Sequence, residues 1–233
     1  MIDTAIIVAG GLGTRLRPLT DNVPKPMVPV KGKPALHYIV ENLRKHNIEN
    51  LIISINYKGE TIQNYFKDGS HLGMKITYST EDYPLGTGGA VKKAAKNLTK
   101  PFFLIYGDSL MDLNWTKMYE LFVKEKAEVV MALTYREDVE NFGSTVLEGN
   151  KIIKFVNKPT REEAPSKIVD IGAYIVDPKC LKIIPEGKSS LSTACFENYV
   201  QMGKVFGFIH EKPWFPLDTM EKYLEACQRF IPS

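Results

Sequence analysis

The chain has 233 residues, of which 44% are hydrophobic and 24% are charged. This balance is typical of one globular domain with a sizeable core and excludes a largely disordered chain. The net charge of +3 is too small to indicate nucleic-acid binding, and no apolar run approaches the roughly 20 residues of a membrane span. We therefore expect neither a nucleic-acid partner nor a membrane partner.

The cysteines Cys180, Cys195 and Cys227 are odd in number, scattered, and include no Cys-x-x-Cys pair. Such cysteines are typical of reduced thiols in a reducing compartment. The N-terminus shows no basic segment followed by a long apolar one, so no secretory signal is visible. Together these features predict a cytoplasmic protein.

Apolar runs and helical spacing predict strands and helices in alternation over the first part of the chain. The predicted strands cover residues 5–9, 51–55, 75–79, 102–106 and 129–135, and the predicted helices cover 34–46, 61–66, about 90–96 and 115–126. Alternation of this kind indicates an α/β fold with parallel β-α-β units and right-handed crossovers. Ligands of such sheets bind at the carboxyl ends of the strands.

From Asn141 onward the predicted elements change in character. Shorter strands are predicted at 145–147 and 152–156, followed by a strand at 168–176, a helix from 190 to about 202, a strand at 204–210 and a helix at 219–230. We interpret this region as a smaller β-rich lobe within one domain.

A glycine-rich turn, GGLGTRL at residues 10–16, follows the first predicted strand. Glycines let an anion approach the backbone N–H groups, and Arg15 adds a guanidinium suited to phosphate oxygens. A P-loop is excluded because no Gly-Lys-Ser/Thr ends the turn. A dinucleotide-binding fingerprint is excluded because Leu16 stands where it needs Gly, and Ile55-Asn56 stands where it needs an acidic residue.

Asp108 is a candidate ligand of a hard cation. It lies after the strand at 102–106, where a carboxylate can bind Mg²⁺, although an aspartate there is also a common turn or cap residue. A second aspartate, Asp218, precedes the last predicted helix, where an aspartate is a good N-cap residue.

The GGLGTRL turn, together with Pro24-Lys25-Pro26 shortly after it, resembles the sugar nucleotidyltransferases. The resemblance implies a three-layer α/β/α sandwich with a mostly parallel mixed sheet, the Rossmann-like nucleotidyltransferase fold, and a small β-rich sugar-binding lobe. It further implies a single domain over 1–233, with a nucleotide-binding part at 1–140 and a sugar-phosphate-binding part with the C-terminal helix at 141–233.

Further motifs extend this resemblance along the chain. PLGTGGA at residues 84–90 is similar to the loop that binds the nucleobase and sugar edge, and its form is most like guanylyltransferases for heptose or mannose 1-phosphates. The alternative is a glycine-rich start of a helix with no chemical role. Gly107-Asp108 matches the family's metal motif, and WFPLDT at 214–219 is similar to the variant found in glucose-1-phosphate cytidylyltransferases.

Two positions depart from the family's pattern, and both face the sugar in the family. The family has Glu-Lys-Pro where this chain has Asn157-Lys158-Pro159, and it usually has Asn where this chain has Asp170. The identity of the acceptor therefore stays open, including a polyol or amino-alcohol phosphate. A non-catalytic regulatory homologue that binds nucleotide is a further alternative.

The resemblance implies that an NTP and a sugar 1-phosphate react, with Mg²⁺, to give an NDP-sugar and pyrophosphate, and it leaves a homo-oligomer open. The catalytic set is Arg15, Lys25, Asp108 and Lys158, and the metal ligands are Asp108 and Asp218. The nucleotide-binding set is Ala9, Gly10, Gly11, Gly13, Thr14, Arg15, Lys25, Glu81, Gly86 and Thr87. The substrate-binding set is Tyr106, Gly143, Asn157, Lys158, Asp170 and Gly172.

Glu81 favours GTP as the nucleotide. A carboxylate only accepts hydrogen bonds, and guanine offers two adjacent donors, N1–H and N2–H₂, that match its two oxygens. Uracil offers one donor between two acceptors, and cytosine offers its amino group beside an acceptor. CTP ranks second because of the 214–219 motif, and UTP remains an alternative. Glu81 could instead face solvent or contact the ribose.

Overall fold

The computed structural model describes residues 2–232. Its strands are β1 (Thr4–Val8), β2 (Pro29–Val30), β3 (Lys33–Pro34), β4 (Asn50–Ile55), β5 (Lys75–Thr80), β6 (Phe102–Tyr106), β7 (Ser109–Met111), β8 (Val129–Tyr135), β9 (Gly143–Glu148), β10 (Lys151–Asn157), β11 (Ile168–Val176), β12 (Val205–Ile209) and β13 (Trp214–Pro216). Its α-helices are α1 (Ala35–Lys45), α2 (Gly59–Phe66), α3 (Gly86–Ala94), α4 (Trp115–Lys124), α5 (Glu197–Gln201) and α6 (Met220–Arg229).

Shorter helical turns complete the chain. Turns of 3₁₀ helix lie at Thr14–Leu16, Leu19–Asp21, Lys25–Met27, Ser70–Leu72, Val139–Asn141 and Pro178–Ile183, and a π-helical turn lies at Ser192–Phe196. Among the residues from 2 to 232, no helix is both long and apolar enough to cross a bilayer.

The chain divides into two compact units, each discontinuous in sequence. The first unit contains residues 3–84, 105–114 and those from 212 onward, and the second contains residues 85–104 and 115–211 together with Ile2. The predicted division into a nucleotide-binding part at 1–140 and a sugar-phosphate-binding part at 141–233 stays a prediction, because the compactness of a unit does not show which residues bind a ligand.

The first unit contains parallel strands in the order β5-β4-β1. Their register pairs Val8 of β1 with Ser54 of β4, and Ser54 with Ser79 of β5, so the carboxyl ends of the three strands lie side by side. The buried face of α1 is apolar, and its apolar residues have the helical spacing that the sequence predicted: Leu36, Val40 and Leu43 are almost fully buried. The predicted parallel β-α-β arrangement is therefore confirmed here.

The same unit contains a small antiparallel ribbon that the sequence analysis did not predict. β7 and β13 pair with Trp214 opposite Met111 and Pro216 opposite Ser109. Three-residue strands bury too few side chains to give a periodic signal in the sequence. The ribbon matters because it connects the segment after Asp108 to the segment before Asp218.

The second unit contains a mixed sheet. β8 pairs in parallel with β12 and antiparallel with β11, while β10 pairs antiparallel with both β12 and β9. β9 also pairs with β11. Shorter strands after residue 141 were predicted, and they are present as β9 and β10, which the structure pairs antiparallel. The α/β class with a mixed sheet is confirmed.

Three predicted helices need correction. The helix predicted from about residue 90 begins at Gly86, because the glycine turn packs into the loop at Ser189 and continues directly into α3. The helix predicted over 190–202 divides into the π-helical turn and the short α5. The last helix begins at Met220, after its N-cap Thr219.

Candidate active site

The glycine-rich turn continues from β1 at the carboxyl edge of the first unit. The Ala9 N–H donates to the carbonyl of Ser54 at 2.8 Å, which fixes the start of the turn against β4. Gly13 has a left-handed φ of 64°, and a Cβ there would lie 2.9 Å from the Cβ of Lys25. Only glycine fits this position without strain. Gly11, Thr14 and the Arg15 side chain are exposed, as a loop that binds a ligand requires.

Lys25 and Asp108 form an ion pair within the first unit. Lys25 Nζ lies 2.7 Å from Asp108 Oδ2, and the Lys25 side chain is only 11% exposed. Gly107 places Asp108 beside β1, because its N–H donates to the Val8 carbonyl at 2.9 Å. The predicted catalytic pair is thus in direct contact.

Opposing effects set the charge state of Asp108. Burial alone would raise the pKa of the Asp108 carboxyl, but the neighbouring Lys25 ammonium lowers it through charge and hydrogen bonding. Arg15 lowers this pKa further. The net pKa lies below the ordinary value, so Asp108 is an ionised carboxylate at neutral pH.

Asp108 and Asp218 lie at the same end of the β7–β13 ribbon. Asp108 immediately precedes β7, Asp218 follows β13 by two residues, and the Leu217 N–H donates to the Asp108 carbonyl at 2.9 Å. The N-cap of α6 is Thr219, whose hydroxyl accepts from the Lys222 N–H at 3.3 Å. The alternative in which Asp218 caps the last helix is therefore wrong.

Asp218 lies between two cationic side chains. Its Oδ2 is 3.9 Å from Arg15 Nη1, and its Oδ1 is 3.4 Å from Lys222 Nζ. Among the described residues, the buried Oδ1 has no hydrogen-bond partner. Sequence reasoning missed Lys222, although its i, i+4 spacing from Asp218 is a usable signal for a helix-surface pair.

The two aspartates fit a Mg²⁺ ion that is bound together with phosphates. In the described part of the chain, no group of three or more His, Cys, Asp or Glu side chains could hold a metal ion. Mg²⁺ commonly takes one or two carboxylates and completes its shell with substrate phosphates and water. Asp218 Oδ1, which accepts no hydrogen bond among the described residues, and the ionised Asp108 supply oxygen ligands of this kind.

Glu81 lies beside the glycine-rich turn and is buried. Its N–H donates to the Ile55 carbonyl at 3.1 Å, and its Oε1 accepts from the Ser54 hydroxyl at 3.2 Å. A Cβ built on Gly10 would lie 3.2 Å from the same Oε1. The side chain therefore faces the turn and not bulk solvent, which removes one of the two alternatives for this residue.

Gly86 and Thr87 have well-defined structural partners in the second unit. Gly86 has a left-handed φ of 66°, and a Cβ there would lie 2.5 Å from the Ser189 carbonyl oxygen. Thr87 Oγ1 accepts from the Leu191 N–H at 3.0 Å. These contacts explain the glycine-rich sequence by packing, and the predicted role of the loop in binding nucleotide stays a prediction.

Four of the predicted substrate-binding residues come together in the second unit. Gly143 of β9 pairs with Asn157 of β10, and a Cβ on Gly143 would lie 3.5 Å from the Cβ of Asp170. The Gly172 N–H donates to Asp170 Oδ1 at 2.9 Å. Sequence reasoning missed Tyr174, whose hydroxyl donates to Asp170 Oδ2 at 2.6 Å.

The carboxyl group of Asp170 has a strongly raised pKa. Burial raises the pKa of its carboxyl to about 6, against the smaller opposing effect of the Tyr174 and Gly172 hydrogen bonds. Among residues 2–232, no cationic side chain pairs with it. Such a carboxylate costs stability, which is typical of a residue kept for binding a ligand.

The remaining two predicted residues are placed separately. Lys158 follows Asn157, has an exposed side chain and a left-handed φ of 49°, and its N–H donates to the Phe142 carbonyl at 3.0 Å. Lys31, Lys58, Lys67 and Lys126 also have a positive φ, so this conformation does not by itself mark Lys158 as a functional residue. Tyr106 is the last residue of β6 and is half-buried in the first unit.

Comparison with known proteins gives consistent matches over nearly the whole chain. The family model described as Nucleotidyl transferase matches residues 4–231. The D-glycero-alpha-D-manno-heptose 1-phosphate guanylyltransferase of Aneurinibacillus thermoaerophilus is 35% identical over 95% of this chain and 96% of its own length. The mannose-1-phosphate guanylyltransferase of Mycobacterium tuberculosis is 31% identical over 97% of this chain, which spans 64% of that protein.

Solved structures show the same fold. A UDP-glucose pyrophosphorylase complexed with UDP-glucose superposes with a TM-score of 0.88 at 23% identity, over 99% of this chain and 98% of that one. HddC from Yersinia pseudotuberculosis complexed with GMP-PN superposes with a TM-score of 0.79 at 27% identity, over 99% of this chain and all of that one.

Proposed function

Because the chain belongs to the nucleotidyl transferase family, we propose that it condenses an NTP with a sugar 1-phosphate to give an NDP-sugar and pyrophosphate. GTP is the favoured nucleotide, and a manno-heptose or mannose 1-phosphate is the favoured acceptor, in line with the relatives named above. The observation that carries the proposal is the set of paired charges, Lys25 with Asp108 and Arg15 with Asp218, at the glycine-rich turn.

The reaction needs no activating base. A sugar-phosphate oxygen attacks the α-phosphorus of the NTP in line, a new P–O bond forms, and the bond from the α-phosphorus to the bridging oxygen breaks with release of pyrophosphate. The attacking oxygen is already ionised at neutral pH. Positioning and neutralisation of charge therefore supply most of the rate enhancement, as in phosphoryl transfer generally.

Each cationic residue has a distinct role in this proposal. The N–H groups of the glycine-rich turn and the Arg15 guanidinium bind the triphosphate, with Arg15 toward the leaving pyrophosphate. Lys25 neutralises the α-phosphate as charge develops there. Lys158 binds the phosphate of the acceptor. Nucleotide phosphates compete with Asp108 and Asp218 for Lys25 and Arg15, so the ion pairs would exchange partners when substrate binds.

Asp108 and Asp218 would hold Mg²⁺. When bound, this ion supplies charge neutralisation and a template for the two reacting phosphate groups. Lys25 limits the pKa of Asp108, and Lys222 keeps a positive charge beside Asp218 when Arg15 turns toward phosphate. Lys25 therefore keeps Asp108 ionised, and the two lysines hold the two carboxylates in place.

The cytoplasm is the proposed compartment. All three cysteines are free thiols, which supports a reducing environment. The oligomeric state stays a prediction.

A panel of four NTPs and several sugar 1-phosphates, incubated with the full chain and Mg²⁺, tests this function. We expect one nucleotide-sugar of defined mass, formed fastest from GTP and a manno-configured acceptor. Preferential consumption of CTP or UTP would overturn the guanine assignment. Absence of product across a panel that includes polyol and amino-alcohol phosphates would overturn the reaction.

A further inference from the structure

We propose that Ser54 is a positioning residue for nucleobase selection, because its hydroxyl holds the Glu81 carboxylate against the glycine-rich turn. The inference rests on the proposed function in that it takes Glu81 as the residue that contacts the base. It adds a residue that the motifs do not include and gives a mechanical reason for the selectivity.

The backbone of β4 connects two parts of the candidate nucleotide site at Ser54 and Ile55. Ser54 lies near the carboxyl end of β4, opposite Val8 of β1 and Ser79 of β5. Its carbonyl accepts the Ala9 N–H at 2.8 Å, which starts the glycine-rich turn. The next carbonyl in the strand, that of Ile55, accepts the Glu81 N–H at 3.1 Å. Two consecutive residues of β4 thus hold the turn and the backbone of Glu81.

The side chain of Ser54 adds a third connection. The hydroxyl is fully buried and donates to Glu81 Oε1 at 3.2 Å. Glu81 is itself buried, and its Oε1 lies 3.2 Å from the position of a Cβ on Gly10. The carboxylate is therefore held at a fixed position beside the backbone of the turn.

This fixed position has a consequence for recognition of the base. The Ser54 hydroxyl uses one lone pair of Oε1, and a carboxylate has about four such acceptor sites in all. A pair of acceptors at fixed spacing matches the two adjacent donors of guanine and opposes the carbonyl oxygens of uracil. Without the Ser54 hydrogen bond the Glu81 carboxylate is held less firmly beside the turn and could turn away from uracil, so loss of the hydroxyl should reduce discrimination more than it reduces binding.

Thr20 provides a matched control within the same unit. Its hydroxyl is also buried, and it donates to the Gly13 carbonyl at 2.8 Å, so it stabilises the phosphate end of the turn. Removing this hydroxyl should weaken GTP and UTP equally. The comparison separates an effect on the base from a general effect on the turn.

The test measures GTP and UTP affinity by calorimetry, with Mg²⁺ and without acceptor, on the full chain. Ser54→Ala and the volume-conserving Ser54→Cys should each lower the ratio of GTP to UTP affinity about 2- to 10-fold, the effect of one hydrogen bond. Ser54→Thr keeps the donor and should keep the ratio. Thr20→Ala should leave the ratio unchanged. In a Glu81→Ala background, Ser54→Ala should change the ratio no further.

An unchanged ratio in Ser54→Ala and Ser54→Cys variants that unfold at the wild-type temperature would overturn the inference. An equal loss in the Glu81→Ala background would overturn it too, because Ser54 would then act independently of Glu81. Wild-type protein that binds GTP but transfers it to no acceptor would refute the proposed function alone. Failure to bind either nucleotide would refute both.

Discussion

Lys25 Nζ lies 2.7 Å from Asp108 Oδ2, although 83 residues separate them in the chain. The contact joins a lysine that follows the glycine-rich turn to a carboxylate at the end of β6. Both residues were identified from sequence motifs, and neither motif reveals that they touch. The pair explains how a carboxylate crowded by surrounding atoms stays ionised, and it places a cation and a candidate metal ligand at one point.

Lys25→Ala and Arg15→Ala should reduce kcat/KM far more than they reduce stability. Each removes a charge-assisted contact to the reacting phosphates, which should cost about 2–4 kcal/mol, or roughly 10²–10³ in rate. Steady-state kinetics and thermal unfolding measure the two effects. Lys75→Ala is the matched control, because Lys75 is exposed at the opposite, amino end of β5. Wild-type rates in either site variant would remove that residue from the mechanism.

The contact with Lys25 should measurably lower the pKa of Asp108. The pKa of Asp108 is lowered in the folded chain, so its contribution to stability is present above the unfolded pKa and is lost as pH falls through the folded pKa. In Lys25→Met the effect of burial is no longer opposed by the ammonium, and the pKa should rise. Carboxyl NMR on both proteins measures the change, and equal pKa values would contradict the assigned cause.

Substitutions at Asp218 and Thr219 should affect metal binding and helix capping separately. Thr219→Ala removes the α6 cap and should cost about 1 kcal/mol of unfolding free energy, with little change in the Mg²⁺ dependence of the rate. Asp218→Asn should raise the Mg²⁺ concentration for half-maximal rate and leave stability nearly unchanged. The opposite pattern, a loss of stability without a change in Mg²⁺ dependence for Asp218→Asn, would reject Asp218 as a metal ligand.

Asp170→Asn should stabilise the protein and weaken binding of the acceptor. The pKa of Asp170 is raised to about 6. Between about pH 4 and 6, this carboxyl is therefore mostly protonated in the native state and mostly ionised in the unfolded state. Above pH 6 the ionised Asp170 lowers the free energy of unfolding by its full amount, at most about 3 kcal/mol, and this loss disappears near pH 4.

Chemical denaturation at pH 8 and pH 4 tests this prediction. The stabilisation by Asp170→Asn should be large at pH 8 and small at pH 4, with a higher KM for the acceptor and little change in the KM for nucleotide. Tyr174→Phe, which removes the hydroxyl that donates to Oδ2, is the companion variant. A destabilised Asp170→Asn protein at pH 8 would show that the carboxylate has a structural role.

The sequence predicts those parts of the fold that long apolar segments determine. β8 was predicted with both its boundaries, and the apolar stripe of α1 is buried as its spacing required. The start of α3 was predicted too late because glycines are poor helix formers, and contacts with Ser189 overcome that preference. Asp218 was considered as the α6 cap, but the adjacent Thr219, which suits the position equally well, is the residue that caps the helix.

The candidate site was predictable as separate residues but not as an arrangement. The glycine-rich turn and Lys25 belong to a local motif, so they could be identified directly. The side chains of Ser54, Lys222 and Tyr174 each contact a motif residue, but a lone polar residue carries no signal of such a contact in one sequence. The β7–β13 ribbon, which brings Asp108 and Asp218 to one end, pairs segments distant in the chain.

Nucleotidyl transfer can be tested by following the oxygen atoms of the acceptor phosphate. A sugar 1-phosphate labelled with oxygen-18 in its phosphate is incubated with the chain, GTP and Mg²⁺, and the products are measured by mass spectrometry. Attack of the sugar phosphate on the α-phosphorus predicts that all of the label stays in the nucleotide-sugar and that unlabelled pyrophosphate forms in equal amount. Label in pyrophosphate, or release of orthophosphate in its place, would contradict nucleotidyl transfer.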